Sequence, residues 1–368
     1  MTDELIINLA PTGMLPTRAD TPHLPLVTGW ASIRPLRMMT PAEPSEPEGS
    51  HLVLQKLLAC PSCHGGLHHR DDGCECPTCE RTYPIRDGIT VFVDQSTSGH
   101  DELDHLAGDH GHGHRGPGDD HKAAQAAFFD RAALAEFEIE RPTRSPAFYR
   151  FLLTEKFRRS VEPLGGRLDD WTALVVCGGS GMDAEFLASA GAAVISSDLS
   201  LGAAGRVQER AKRHGTPIEP IVADVEHLPF ADRSVDLVYV HDGLHHLEDP
   251  SAGIAEMARV ARRAVCITEP AQATATAIGV RLGVALDREE AGNRVARLEP
   301  AAVASALHAA GFRVVRADRY AMYYQHVPGR ITSILSRRPL LSGAVLVWRL
   351  ANRIVGRAGN KLTIVAVR

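Results

Sequence analysis

Four cysteines near the N-terminus have the spacing of metal ligands. Cys60 and Cys63 form one C-x2-C pair, and Cys76 and Cys79 form a second pair after twelve intervening residues. Two such pairs allow four thiolates to converge on one zinc ion in a tetrahedral arrangement. Because four protein ligands close the coordination sphere, we expect a structural zinc that folds a segment too small for its own core. Cys74 is out of register with the two pairs.

A second chemical signal is the glycine turn in VVCGGSGMDAEFLASAG (175–191), which lies between an apolar strand and a helical pattern. Gly178, Gly179 and Gly181 allow backbone conformations closed to other residues, and they let a ligand approach the main chain. The helix that follows would direct its N-terminal amides at that ligand. Residues 179–184 also fit the G-x-G-x-x-A dinucleotide pattern, with Asp198 about 20 residues further on. An NAD-binding protein is therefore a rival interpretation of this turn.

Two acids follow the next two predicted strands. Asp198 closes the second strand, where its carboxylate can accept hydrogen bonds from ribose hydroxyls. Asp224 follows the third strand, where it can accept from an adenine amino group while the Val225 amide meets a ring nitrogen. The segment HDGLHHLEDP (241–250) follows the fourth strand and forms a loop at its carboxyl end, where ligands bind in open α/β sheets.

Alternating strands and helices must position these residues. Their alternation predicts an α/β fold, a mostly parallel sheet with helices on both faces. We place strands near 172–177, 193–197, 218–223, 235–240, 264–268, 312–317 and 361–367. We place helices near 182–190, 202–213, 251–261 and 299–310, and apolar residues at helical spacing predict further helices within 122–163.

The order of these segments resembles the Rossmann-like, class I S-adenosylmethionine-dependent methyltransferases over about residues 122–320. The resemblance implies a mostly parallel methyltransferase sheet completed by an antiparallel hairpin, from FRVVRA and KLTIVAV. It also implies that the backbone of His241 faces the amino acid end of the cofactor. The cofactor-binding positions it implies are Gly178, Gly179, Gly181, Asp198, Leu199, Asp224, Val225 and His241.

Two positions depart from the pattern of that family. An acid usually stands at the place of Val175, where it helps to orient the ammonium group of the cofactor, and glycine usually stands at the place of Cys177. The missing acid predicts weaker cofactor affinity. We expect the Cys177 side chain to fit the turn if its φ angle is negative.

Methyl transfer from a sulfonium is an in-line displacement in which the enzyme mainly supplies proximity and alignment. An oxygen or nitrogen acceptor also needs a base. Asp242, His245 and His246 lie in the loop at the mouth of the site and are the catalytic candidates. A histidine titrates near neutral pH and suits that task, although LHHL also recurs in the family as packing beneath the cofactor. We expect a small-molecule or specialised-metabolite acceptor, methylated on oxygen or nitrogen rather than carbon.

The regions that flank this domain carry two further resemblances. The segment YPIRDGI, after the last cysteine pair, resembles the small zinc ribbons of the Trm112-like methyltransferase activators, which implies a protein partner at the ribbon. LIINLAPTGMLPTRADTPHLPL (5–26) resembles the opening strand of the β-keto acid cleavage enzymes, but one strand cannot form their barrel. We therefore predict a flexible tail over 1–50, a zinc ribbon over 51–95, a His- and Gly-rich linker over 96–121, and the methyltransferase domain over 122–368.

Composition limits the partners of this protein. A net charge of -5 and 5% aromatic residues among 368 argue against a nucleic-acid surface. Seven cysteines, an odd number, favour metal ligation over a secreted disulfide framework. With neither a signal peptide nor about 18 consecutive apolar residues, we expect a cytoplasmic protein. LLSGAVLVWRLANRIVGR (340–357) is amphipathic, and we favour a docked helix with an exposed basic edge over a membrane-surface helix.

Three other functions compete with methylation of a small molecule. RNA methylation is one, because zinc ribbons precede some methyltransferase domains that act on RNA; the acidic balance argues against it. A non-catalytic scaffold is the second, because the glycine turn is altered. An NAD-binding protein is the third. The sequence leaves the oligomeric state open.

Overall fold

The fold comes from a computed structural model, which describes residues 56–93, 117–131, 134–271, 298–322 and 326–368. The predicted tail and most of the predicted linker lie outside these residues. The described residues belong to one unit, Pro41–Arg368.

The strands form an eleven-stranded mixed sheet in the order β1-β2-β3-β4-β7-β6-β5-β8-β9-β11-β10. The strands are β1 (His68–Arg70), β2 (Gly73–Glu75), β3 (Thr82–Arg86), β4 (Ile89–Val91), β5 (Thr172–Val176), β6 (Ala193–Asp198), β7 (Ile218–Val222), β8 (Val235–His241), β9 (Ala261–Pro270), β10 (Arg313–Tyr320) and β11 (Lys361–Val367). The α-helices are α1 (Pro117–Asp130), α2 (Ala135–Glu140), α3 (Ala147–Val161), α4 (Met182–Ser189), α5 (Leu201–His214), α6 (Pro250–Val260), α7 (Pro300–Ala309), α8 (Arg330–Leu335) and α9 (Leu340–Val355).

The centre of the sheet is parallel and the last two strands are antiparallel. β5 pairs in parallel with both β6 and β8, β6 pairs with β7, and β8 pairs with β9. β11 enters antiparallel to β9 and pairs with β10. Central strands such as VDLVYVH are mostly apolar and buried along nearly their whole length, as expected for strands covered on both faces. The predicted mostly parallel α/β sheet with an antiparallel last hairpin is confirmed.

One helix extends into the predicted linker. α1 begins at Pro117, whereas we expected the linker to continue to residue 121. Proline is favoured in the first turn of a helix because its missing N–H would have no intrahelical partner there. The glycines and histidines around this proline dominated the composition of the segment and concealed the start of the helix. The helix thus overlaps the last five residues of the predicted linker, 117–121, and the domain bounds stay a prediction.

The cysteine-rich segment extends the central sheet. β4 pairs in parallel with β7, with Thr90 opposite Ile221 and Val91 opposite Val222. The Phe92 amide donates to the Val222 carbonyl oxygen at 2.8 Å. The main chain of this segment is thus hydrogen-bonded to the edge of the larger sheet.

The cysteine-rich segment also shares its apolar core with the rest of the fold. Buried Cys60, Tyr83 and Phe92 belong to the same cluster as Leu228 and Phe230. The Tyr83 and Phe92 rings lie 5.2 Å apart. The segment therefore has two sources of order, its thiolates and its packing against the larger sheet.

Because the core is shared, we predict that the cysteine-rich segment and the central sheet unfold together. Phe92→Ala should lower the free energy of unfolding by about 3–5 kcal/mol and keep one cooperative transition. Urea unfolding followed by circular dichroism and by tryptophan fluorescence measures both. Ile85→Ala, at an exposed position of β3, is the control and should change stability by less than about 0.5 kcal/mol. Two separate transitions in the unmutated protein would contradict the shared core.

Candidate functional site

The four predicted metal ligands converge. The Cys60 and Cys79 sulfurs lie 3.5 Å apart, and those of Cys63 and Cys76 lie 3.4 Å apart. All four sulfurs lie within 4.8 Å of one another. Sulfurs around tetrahedral zinc, each about 2.3 Å from the metal, are separated by about 3.8 Å, whereas a disulfide bond is about 2.05 Å long. The set therefore fits a zinc ion.

Two neighbours of this cluster have other roles. Cys74 is buried and lies 3.2 Å from His69 Nδ1, outside the four-cysteine cluster. The Tyr83 hydroxyl lies 3.1 Å from the Cys60 sulfur. A hydroxyl at this distance holds a thiolate ligand in place.

Each of the three glycines of the turn is required for a different structural reason. A Cβ on Gly178 would collide with Ser196 Oγ, so this glycine permits close packing of the turn on β6. Gly181 has φ +79° and faces Val207 of α5, only 3.2 Å from where a Cβ would stand. Gly179 has φ +54°, and nothing lies within 4 Å of its Cβ position. Gly179 is thus the glycine whose open side a ligand can approach.

Asp198 fastens this turn to the end of β6. Its Oδ2 accepts the Gly179 amide at 2.9 Å, and its Oδ1 accepts the Ser200 amide at 3.0 Å. Burial raises the pKa of Asp198 above its usual value. Leu199, also a predicted cofactor residue, follows directly and is half-buried.

Asp224 is covered by a residue that the sequence did not indicate. Lys122 of α1 donates to Asp224 Oδ2 at 2.6 Å and pairs with Glu226 at 2.6 Å. Burial raises the pKa of Asp224, but hydrogen bonds from His227 and Lys122 outweigh burial and lower it overall. Val225 is buried in the core beside it. Lys122 escaped prediction because it lies next to the supposed linker.

The expectation about Cys177 is wrong. Its φ is +51°, in the left-handed region where glycine is favoured. Its side chain lies against Gly243, whose Cβ position is only 2.9 Å from the Cys177 sulfur. Burial and the nearby carboxylates of Asp198 and Glu269 raise the pKa of this thiol well above its usual value. The turn keeps the backbone shape suited to glycine and tolerates a neutral thiol because position 243 has no side chain.

The side chain of His241 organises a buried polar cluster at the end of β8. Its Nδ1 lies 2.8 Å from Asp183 Oδ2, and its Nε2 lies 2.8 Å from Asp242 Oδ2. Lys156 of α3 contacts the same ring, and Lys361 of β11 pairs with Asp242. The prediction concerned only the His241 backbone. The cluster adds two lysines and Asp183, whose positions inside amphipathic patterns gave no signal.

Asp183 lies on the side of the sheet that Val175 occupies. Val175 is opposite Tyr239 in the β5–β8 register. The Tyr239 hydroxyl donates to Asp183 Oδ1 at 3.3 Å. Burial raises the pKa of Asp183, but His241 and Lys156 reverse this and lower it to about 2. A charged carboxylate thus lies on the side of the sheet where the acid is missing.

Buried Lys156 completes the charge balance of the cluster. Burial lowers its pKa to about 8, although Asp242 and Asp183 oppose this change. A lysine with this pKa is partly neutral near physiological pH. It can therefore exchange a proton within the cluster.

The two adjacent histidines are in different surroundings. His245 is buried, not at the mouth of the site, and its Nδ1 lies 2.7 Å from Glu269 Oε2. Glu269 Oε1 also accepts the Gly243 and Leu244 amides at 2.9 and 2.8 Å. The His246 ring lies 4.4 Å from that of His245. The catalytic roles of Asp242, His245 and His246 stay predictions. Glu269, near the end of β9, could have been found by the rule that identified Asp198.

Two families match parts of the chain. Residues 174–266 match the family described as "Methyltransferase domain", and residues 52–88 match "Trm112p-like protein". These matches support S-adenosylmethionine and structural zinc as the cofactors. No helix among the described residues combines the length and hydropathy needed to cross a membrane.

Individual relatives and solved structures match only part of this chain. A demethylmenaquinone methyltransferase of Renibacterium salmoninarum is 36% identical over 109 residues, which is 30% of this chain and 44% of the relative. The chain thus spans less than half the length of this relative. Magnesium protoporphyrin IX methyltransferase from Synechocystis PCC 6803 with bound SAH superposes with a TM-score of 0.48 at 19% identity, covering 67% of this chain and 99% of that chain. A Haloferax volcanii complex of the Trm112 methyltransferase activator and a putative methyltransferase gives 0.43 at 19% identity, with 66% and 96% covered.

Zinc content should distinguish the ligands from the other ribbon cysteine. Cys63→Ser removes an exposed ligand, so the protein should lose its zinc and melt at a lower temperature. Cys74→Ser should keep one zinc per chain, because this thiol lies outside the cluster. Metal analysis of the purified variants, with thermal unfolding, makes the comparison. Equal zinc content in both variants would overturn the ligand assignment.

A second test concerns the contact between Cys177 and position 243. Gly243→Ala should lower the free energy of unfolding by about 1–3 kcal/mol, because the new methyl group overpacks against the cysteine. Cys177→Gly removes that side chain, so the double variant should recover most of the loss. A double-mutant cycle of unfolding free energies measures the coupling. Additive effects of the two changes would show that the residues do not constrain each other.

Proposed function

We propose that this chain, a Rossmann-like methyltransferase domain preceded by a Trm112-like zinc ribbon, transfers a methyl group from S-adenosylmethionine to a small molecule. The observation that carries the proposal is the set of groups at one edge of the sheet. This edge holds the open turn at Gly179, the carboxylate of Asp198 tied to that turn, and Asp224 at the end of the next strand.

The electrostatics of this edge suit a cationic cofactor. The four carboxylates that raise the pKa of Cys177 belong to Asp198, Glu269, Asp224 and Glu226. S-adenosylmethionine, when bound, supplies a methyl group on a positively charged sulfonium. The carboxylates would stabilise that charge, and Lys122 would have to share or release Asp224 as the adenine binds.

We further propose that Asp183 replaces the acid missing at position 175. Its carboxylate is ionised, and His241 and Tyr239 fix its position. In this arrangement Asp183 would orient the ammonium group of the cofactor from the first turn of α4. Val175 can then stay apolar in the core.

The acceptor side offers two ways to take up a proton. A glutamate on Nδ1 of a histidine fixes the proton there and makes Nε2 the basic nitrogen. The pair of His245 and Glu269 has that arrangement. Lys156, with a pKa of about 8, is the second candidate. The curated relatives are named demethylmenaquinone methyltransferases, so a demethylated quinol is the first acceptor to assay.

The ribbon contributes through β4, which occupies the edge of β7. We propose that it stabilises the methyltransferase domain within the same chain. Binding of a separate protein at the ribbon stays a prediction.

Calorimetry with S-adenosylhomocysteine tests cofactor binding. The wild-type protein should bind it, and Asp198→Asn should weaken binding at least about tenfold, because a charge-assisted hydrogen bond contributes about 1.5–3 kcal/mol. NAD should give no heat. The proposal fails if the wild type binds no S-adenosylhomocysteine, and binding of NAD instead would support the dinucleotide alternative.

A test of the role of Asp183 requires a second ligand that lacks the amino acid part of the cofactor. Asp183→Asn should weaken S-adenosylhomocysteine binding about tenfold or more and leave methylthioadenosine binding unchanged, because only the former carries an ammonium group. An equal loss for both ligands would indicate a general distortion of the site. No loss for either would remove Asp183 from the cofactor site.

Acceptor assays use S-adenosylmethionine with a radioactive methyl group. The acceptor is a demethylated quinol, and total RNA is tested for comparison. Label should enter the small molecule, and mass spectrometry of the product identifies the methylated atom. Glu269→Gln should lower kcat and change its pH profile, while affinity for S-adenosylhomocysteine, which lacks the sulfonium charge, stays the same. Label in RNA alone would refute the proposed acceptor class, and no transfer to any acceptor, despite binding, would favour a scaffold.

A further inference from the structure

The segment between β10 and β11 has an apolar face that the described part of the protein does not cover. Of the eleven exposed large hydrophobic side chains in the described residues, eight lie within 327–354. In α9, Leu346, Val347, Leu350 and Ile354 are 47–82% exposed. At 100° per residue they fall on one stripe of the helix. The members in this segment are Val327, Ile331, Ile334, Leu340, Leu346, Val347, Leu350 and Ile354.

This stripe is not the side by which α9 is docked. Leu341, Val345 and Trp348 lie on the opposite side and pack against Phe148 and Leu152 of α3. The Asn352 side chain also binds the main chain of residue 321 on both its N–H and its C=O. The helix is thus anchored as the sequence predicted, and a second apolar face is directed away from the body.

The formally charged residues of the same region, Asp, Glu, Lys and Arg, are all basic. Residues 319–368 contain nine arginines and lysines and no aspartate or glutamate, although the whole chain has 40 basic and 45 acidic residues. Arg330, Arg337, Arg338, Arg349 and Arg353 are exposed. Arg349 and Arg353 follow one border of the apolar stripe on α9. Positive charge therefore borders the exposed apolar side chains.

We propose that the surface formed by α8 and α9 docks onto an anionic lipid bilayer, with the stripe in the interfacial region and the arginines at the headgroups. An amphipathic helix that combines apolar side chains with bordering cations binds such surfaces by apolar burial together with attraction to anionic lipids. A second copy of this chain would bring two strongly positive faces together. Nucleic acid would attract the arginines but leave Leu346, Val347 and Ile354 in water. An anionic bilayer satisfies both features at once.

The docking surface lies at the same edge of the sheet as the candidate site. β9 ends at that edge. Because β11 runs antiparallel to β9, β11 begins there, and because β10 runs antiparallel to β11, β10 ends there. α3 contacts both places, with Leu152 beneath α9 and Lys156 at His241. If the proposed function holds, which this step requires, the acceptor is lipophilic and enters the site from the bilayer.

Vesicle co-sedimentation of the full chain tests the surface without any assay of activity. The wild type should bind vesicles of equimolar phosphatidylglycerol and phosphatidylcholine, and should bind pure phosphatidylcholine at least about tenfold more weakly. High salt should reduce the binding, because it screens the headgroup charge. A lack of binding to the anionic vesicles at low salt would overturn the proposal.

Matched variants separate the two contributions. Val347→Ser/Ile354→Ser removes apolar contacts, and Arg349→Gln/Arg353→Gln removes charge; each should weaken vesicle binding about tenfold or more. Ile85→Ser and Arg144→Gln, exposed positions elsewhere, are the controls and should bind as the wild type does. Unchanged melting temperatures would show that all variants are folded, as expected for exposed positions. Equal binding by the stripe variants and the controls would contradict the docking surface.

Other occupants give distinct results. A dimer in analytical ultracentrifugation that Val347→Ser/Ile354→Ser abolishes would show that a second copy covers the stripe. RNA binding that is tighter than vesicle binding and lost in Arg349→Gln/Arg353→Gln would show a nucleic-acid surface. Either result would replace the bilayer as the occupant of this surface.

If cofactor binding fails but vesicle binding persists, the proposed function is refuted while the docking surface stands. If binding to both persists, activity on a quinol in anionic vesicles, compared with detergent micelles, tests entry from the bilayer.

Discussion

The parallel pairing of β5 with both β6 and β8 is the constraint on which the rest of the structure depends. This pairing ends three strands at one edge, so the loops after Val176, Asp198 and His241 must meet there. Helices cover the strands but not their ends, and the chain therefore gathers polar groups at this edge. The glycine turn can bend over the edge because the Gly179 amide is held by Asp198, a residue of the neighbouring strand. This register therefore brings together the glycine turn, Asp198 and the loop after His241.

Charges placed at a buried edge must be paired, because an isolated ion loses its hydration there. His241 meets this requirement by lying between two aspartates, and Lys361 neutralises the outer one, Asp242. Such a network is weak evidence for stability, since desolvation offsets much of the attraction. Its benefit is rigidity: Asp183 stays ionised and fixed, and Glu269 holds both His245 and the loop amides. A cofactor entering this edge meets carboxylates that are already fixed, and only Asp224 has to exchange its partner Lys122.

The sequence predicts local and periodic features of this protein, and it does so because the physics behind them is local. The apolar runs of β5 to β9 and the acids that follow them, Asp198 and Asp224, stand where expected. The pairing of β4 with β7 was not predicted, because Ile89–Val91 is a three-residue strand whose partner is more than 100 residues away. The positive φ of Cys177 could not be read from its identity. It depends on the space left by Gly243, a contact that only the folded turn creates.

The two ends of the described chain act on the central domain in different ways. The ribbon adds apolar core and main-chain hydrogen bonds at β7, which is the side of the sheet remote from α9 in strand order. The C-terminal helices pack on α3 and on the end of β10, and they leave a second set of apolar side chains exposed beside arginines. Exposed apolar surface of this extent persists in a folded protein when a further contact covers it. Because α9 packs on α3 through Phe148 and α3 carries Lys156 to His241, α3 connects the docked helix to the candidate site. The ribbon therefore packs at one end of the sheet, while the C-terminal helices pack beside α3 at the other.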